Sequence, residues 1–110
     1  MNKYRRKFQE SSEVAKEILA QLGGQKFIVM TGAKNFVSAD VGDGQLSFRL
    51  PRAKDSINHV SITLNGKDLY DVKFGMIRGV NYKIKKEFND VYNDMLVDIF
   101  EKTTGLYTSL

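Results

Sequence analysis

The chain has no cysteine, one proline and one histidine in 110 residues, and each scarcity removes a class of reading. Without cysteine there is neither a disulfide scaffold nor a thiolate nucleophile, and zinc would be left with His and carboxylate ligands alone. A single proline argues against a disordered linker. No apolar run approaches the ~20 residues of a membrane-spanning helix, and Met1 to Lys7 has no apolar stretch of signal-peptide type behind it. These absences predict a cytoplasmic address and no membrane partner. What remains, 42% hydrophobic and 27% charged, suits one soluble domain that buries a single core without staples.

The net charge of +4 is unevenly spread. Residues 1 to 10 carry four Lys/Arg and one Glu, and residues 23 to 86 carry eleven Lys/Arg against five Asp. From residue 87 onward five carboxylates face one lysine. The expectation is a basic arm over residues 1–10, then one α+β domain over residues 11–110 with a basic sheet and an acidic last helix.

Three alternating runs anchor the fold reading. Val60, Ile62 and Leu64 form one apolar row, Val72, Phe74 and Met76 a second, and Tyr82 with Ile84 a third. Ser61, Thr63, Lys73, Lys83 and Lys85 fall between them, so one face should be apolar and the other hydroxylic and basic. Gln45 to Leu50 alternates in the same way and Pro51 ends it. Lys26 to Thr31, nearly continuous in apolar residues, reads as a further strand, and Gly32 to Asn35 as a turn.

Helices are predicted at both ends. Ser11 or Ser12 can cap the first, whose stripe is Val14, Ile18, Leu19 and Leu22, with Gly23-Gly24 as its stop; residues 1–10 are a mobile arm or an early extension of it. Asn89 or Asp90 can start the last, with Phe88, Tyr92, Met95, Leu96, Ile99 and Phe100 as its apolar stripe. Parity argues against a two-residue hairpin at Asn65-Gly66, because it would turn Tyr70, Val72 and Phe74 to the wrong face. A capped helical turn over Gly66 to Tyr70 is expected instead. The sum is a five- or six-stranded antiparallel sheet with an N-terminal and a C-terminal helix packed on one face.

Catalytic chemistry finds little footing. His59, the lone histidine, begins a strand without a predictable partner, and a histidine so placed is more often structural than an acid-base group. Asp40 and Asp43 lack the spacing of a calcium loop and suit a turn. Gly23-Gly24 with Lys26, and Thr31-Gly32-Ala33-Lys34-Asn35, resemble fragments of phosphate loops without the following helix. Thr31, Lys34 and Asn35 are nonetheless the densest polar cluster beside glycine. No catalytic residue, metal site or cofactor is assigned. The outward basic positions, above all Arg49, Arg52, Lys73, Lys83 and Lys85, are either a footprint for phosphate-backbone contact or a solvated surface that protects edge strands. The outward face shows no obvious aromatic for stacking bases.

The blocks Gly23-Gly24 through Lys26-Phe27, Met30-Thr31-Gly32-Ala33-Lys34 and Phe36, Leu46-Ser47-Phe48-Arg49-Leu50-Pro51, Asp68-Leu69-Tyr70-Asp71-Val72 and Thr104-Gly105-Leu106-Tyr107 are similar to a group of small proteins of bacteriophages and other mobile elements. The resemblance spans about Ile18 to Leu110. It implies a setting inside a bacterial host, where small phage proteins outside the virion often bind nucleic acid or block a host enzyme, including defence enzymes. Two non-enzymatic readings follow. One is nucleic-acid or nucleoprotein binding through the basic sheet. The other is inhibition of a host protein through the acidic surface Asp90, Asp94, Asp98 and Glu101.

Overall fold

The computed structural model describes residues 3–109, with side chains from Ser12 onward. Helix α1 (Lys3–Leu22) and helix α2 (Gln25–Thr31) precede five strands, β1 (Lys34–Ala39), β2 (Gln45–Arg49), β3 (His59–Leu64), β4 (Tyr70–Arg78) and β5 (Asn81–Val91), and helix α3 (Leu96–Thr104) closes the chain. The strands pair in sequence order as an antiparallel meander. The three helices lie against one face, so the expected α+β architecture holds with five strands.

Alternation explains the layering. Leu46 and Phe48 of β2, Val60 and Ile62 of β3 and Val72 and Phe74 of β4 are buried together with Ile18 and Leu22 of α1, Phe27 of α2, and Leu96 and Phe100 of α3. Phe100 sits at the centre: its ring centroid lies 5.2 Å from Phe27, 6.3 Å from Phe48 and 6.4 Å from Phe74. Phe36 of β1 adds to Phe48 at 5.3 Å, and Phe88 of β5 to Phe74 at 6.1 Å. One aromatic cluster therefore ties α2 and α3 to β1, β2, β4 and β5, each edge or tilted pair adding roughly 0.5–1.5 kcal/mol beyond area burial.

Several local expectations are corrected. Lys26 to Thr31 is not a strand but most of α2: Gly23 and Gly24 (φ 127° and 60°) turn the chain, and Phe27 and Thr31, four residues apart, are the positions that bury. A short apolar run reads the same for either structure until its neighbours are known. Ser11 and Ser12 do not cap α1, whose backbone is helical from Lys3; the side chains of the basic arm lie outside the described residues. Gly66 to Tyr70 forms no helical turn. Asn65 therefore caps no helix; its Oδ1 accepts from the Lys67 and Leu69 amides within an open loop that pairs Leu64 with Tyr70. The last helix does not begin at Asn89 or Asp90, because β5 runs to Val91 and a 3-10 turn (Asn93–Met95) intervenes.

The largest correction concerns β5. Its register against β4 slips twice, and at the first slip Phe74 faces Lys86 while Gly75 faces Ile84, leaving Lys85 as an extra residue. The bulge reverses parity. Phe88 stays on the helix side, whereas Tyr82 and Ile84 turn to the bare face and Lys83 takes the helix side opposite Met76.

Helices α2 and α3 end by one device. Thr31 Oγ1 donates to the Phe27 carbonyl at 2.8 Å and accepts from the Ala33 amide at 3.2 Å. Thr104 Oγ1 repeats this with Phe100 at 2.7 Å and Leu106 at 3.2 Å. Gly32 and Gly105 follow with φ of 73° and 75°, and each amide donates back into its helix. Thr104→Val should therefore cost about 1–3 kcal/mol by stranding the part-buried Leu106 amide. Gly32→Ala should cost about 1–2 kcal/mol for the left-handed backbone alone, and its new Cβ would also meet Pro51 Cγ at 2.9 Å. Gly66→Ala, in open space, should stay within about 0.5 kcal/mol. Urea unfolding midpoints check all three, and equal midpoints for Gly32→Ala and Gly66→Ala would contradict this account of the turn.

Candidate functional site

With the helices on one side, the other side of the sheet is bare, and register gives its rows. Lys34, Arg49, His59, Gly75 and Ile84 lie side by side across the five strands. The next row is Val37, Ser47, Ser61, Lys73 and Glu87, followed by Ala39, Gln45, Thr63 and Asp71. Hydroxyl groups occupy the middle, where Gln45 Nε2 donates to Thr63 Oγ1 at 2.8 Å.

Tyr82 is the feature that alternation alone conceals. Its ring covers Gly75: a Cβ there would meet the Tyr82 Cε1, Cζ and Oη atoms at 2.5 to 2.8 Å, so glycine is required beneath it. His59 meets the same ring edge-on, centroids 5.6 Å apart and planes at 83°. Tyr82 nevertheless remains 47% exposed and its neighbour Ile84 43%. Asn58 fixes this corner, donating from Nδ2 to the Ile77 carbonyl at 2.8 Å and accepting the Ile77 amide at 2.7 Å, so a side chain extends the β3–β4 ladder. The expectation that the bare face carries no aromatic is thus corrected. Apolar residues at a strand end were assumed to point inward, and the bulge turns this pair outward.

The charges are sorted along the strands rather than between the faces. At the end marked by Pro51 lie Lys34, Arg49, Arg52, Lys54, Arg78, Lys83, Lys85 and Lys86, with Asp55 and, next to Lys86, Glu87 as carboxylates among them. At the opposite end lie Asp40, Asp43, Asp68, Asp71, Asp90 and Asp94, with Lys67. Among the open recesses of the cationic end, two are lined by lysines. One, of about 320 Å³, is lined by Lys34, Asn35, Arg49, Leu50, Pro51 and Asn58. The other, of about 460 Å³, runs between Asp55-Ser56 and Lys83 to Lys86. None of these cations has an ion-pair partner among the described residues, where the pairs are Lys67–Asp90 and Lys102–Asp98.

The predicted groups are therefore rearranged. Arg49 and Lys73 do share the bare face, but Lys83 points to the helix side, Lys85 sits at the bulge and Arg52 lies in the loop after Pro51. Apart from Lys73, which stands in the middle row, they meet at one end, not on one face. The acidic set does not form one helical surface. Asp90 ends in β5, held by Asn65 Nδ2 at 2.9 Å and Lys67 Nζ at 3.1 Å, while Asp94 lies in the 3-10 turn. In α3, Asp98 pairs with Lys102 and Glu101 accepts from the Thr108 amide and hydroxyl. Thr31, Lys34 and Asn35 make no phosphate cradle: Thr31 is buried in the end of α2, Lys34 starts β1, and Asn35 (φ 56°) sits in a β1 irregularity. Among the described residues no group of three or more His, Cys, Asp or Glu could hold a metal ion, and no helix is long and apolar enough to cross a membrane.

No family model, curated protein or solved structure matches this chain.

His59 gives a pH prediction. Burial, and then the positive charge of Arg49, lower its pKa below the ordinary 6.5, so folding favours the neutral ring. The unfolded chain takes up the proton first as pH falls, so this contribution is complete above 6.5 and is lost as pH falls from there through the folded pKa. Urea midpoints should drop between about pH 7.5 and about pH 5.5, and His59→Gln should flatten that drop. An unchanged slope in His59→Gln would remove His59 as its source.

Proposed function

We propose that the protein is a non-catalytic binding protein that engages the phosphate backbone of nucleic acid, alone or within a nucleoprotein, through the cationic end of its sheet. The observation that carries this reading is the collection of Lys34, Arg49, Arg52, Arg78, Lys83 and Lys86 at one end of the strands with no ion-pair partner among the described residues. Such crowding raises self-repulsion and is offset when a polyanion replaces the small counterions, whose release favours binding. A surface built only for solubility would mix its signs. The cations stand on both faces and at the rim, Arg49 on the bare side and Lys83 on the helix side, which suits a strand or duplex laid across the sheet end. The resemblance to small phage proteins supports the same setting, a host cell where nucleic acid is the abundant polyanion.

The acidic surface supports no second reading of equal weight, since two of its four carboxylates are spent on Lys102 and on Thr108 and a third on Asn65 and Lys67. Binding to a labelled oligonucleotide should fall linearly on a log-log plot against salt, each phosphate contact contributing a slope of about 0.9. Lys83→Glu with Lys86→Glu should reduce that slope by about two, whereas Lys16→Glu on α1 should leave it in place. Absence of binding at low salt, or equal slopes for the two variants, would defeat the proposal.

A further inference from the structure

We infer that the nucleic acid bound here is single-stranded, with one unpaired base stacked on the exposed ring of Tyr82 and the adjoining phosphates held by Arg49 and Lys73. This rests on the nucleic-acid reading above and narrows it from any polyanion to an unpaired strand. The geometry is that of a platform. Gly75 lets the Tyr82 ring settle on the backbone, His59 pins its edge, and the ring stays 47% exposed, so one aromatic face is turned to solvent. The Lys85 bulge costs regular pairing, and its result is that Tyr82 and Ile84 are presented on the bare side instead of joining the core.

The surroundings select the ligand. Arg49 lies beside His59 in the same row, and Lys73 lies in the adjacent row on β4 opposite Glu87, so two cations and one carboxylate stand on the side of the ring toward the sheet centre. His59 is held toward its neutral form, and burial followed by Glu87 raises the Tyr82 pKa above 10.0, so both rings offer π surfaces without charge at neutral pH. A base stacks on such a ring whatever its identity, and phosphates answer the cations. A duplex hides the faces of its bases and would engage the cations alone. A second copy of the chain is a poorer occupant, because Arg49 and Lys73 would be carried toward an identical cationic surface.

The test uses the full chain with a fluorescein-labelled oligothymidylate of about ten nucleotides and a duplex of equal length at one salt concentration. The single strand should bind more tightly. Tyr82→Phe should keep its affinity, and Tyr82→Leu, which still covers Gly75, should weaken it by about 5- to 100-fold while leaving duplex affinity and salt slope unchanged. Urea midpoints for both variants confirm that the sheet is intact. Equal affinity for strand and duplex, or an unweakened Tyr82→Leu, overturns the inference while leaving backbone binding standing. Loss of every salt-sensitive interaction in the wild-type chain refutes the wider proposal instead. Self-association that Tyr82→Leu abolishes, with no preference for single strands, would assign the platform to a second copy and also overturn the inference.

Discussion

Phe100 is the contact on which the layering depends. Its ring packs on Phe27 of α2, Phe48 of β2 and Phe74 of β4, so one side chain joins two helices to the middle of the sheet. Because α2 and α3 both end at a buried threonine and a left-handed glycine, their lengths are set and their aromatic residues arrive over the same strands. A phenylalanine interior of this density tolerates little rearrangement, since removing one large ring leaves a cavity worth several kcal/mol. Holding all three helices on one side is what leaves the opposite face open.

The second constraint is local. An extra residue in β5 changes no hydrogen-bonding partner of β3 or β2, yet it exchanges the two faces for everything from Tyr82 to Ile84. Without it the sheet would present Lys83 to solvent on the bare side and cover Tyr82; with it the aromatic ring is on the open face and the lysine lines the cleft beside Asp55 and Ser56. The glycine at Gly75 and the bulge at Lys85 are complementary, because a side chain at the first would collide with the ring that the second delivers.

Much of the sheet was legible in the order of residues. Leu46 and Phe48, Val60 and Ile62, Val72 and Phe74 alternate without interruption, and a period of two admits no other half-buried structure. Parity also excluded the tight hairpin at Asn65, and the observed Ile62–Val72 pairing agrees. What escaped was whatever depends on distant partners. Phe27 to Met30 has the composition of a strand, and only the glycine pair before it and Phe48 and Phe100 above it make it helical. A bulge leaves no periodic trace, so alternation alone places the apolar Tyr82 and Ile84 in the core. Charge was read by face, from alternation, although antiparallel pairing gathers residues from distant positions at a common end: Lys34, Arg49, Arg78 and Lys83 become neighbours only once the meander is closed. The signal that could have revealed Tyr82 is Gly75 itself, a glycine inside a strand that otherwise alternates, which marks a close approach from another residue.

The two ends of the sheet treat their charges differently. At the acidic end Asn65 Nδ2 donates to both Asp71 and Asp90, the Asp90 amide donates to Asp71, and Lys67 completes the set at 3.1 Å. Those carboxylates hold the β3–β4 loop against the end of β5, and their charge is largely answered within the fold. At the cationic end the corresponding interactions are backbone-like, with Asn58 bonding Ile77 and Leu50, while the cations have no ion-pair partner among the described residues. Their mutual repulsion is therefore a cost that the folded chain alone does not recover, and a polyanion laid across the strand ends recovers it in proportion to the phosphates it brings. In the proposed complex an aromatic ring standing beside those cations would add an attraction that salt does not screen, so affinity and discrimination would arise from different side chains on the same end of the sheet.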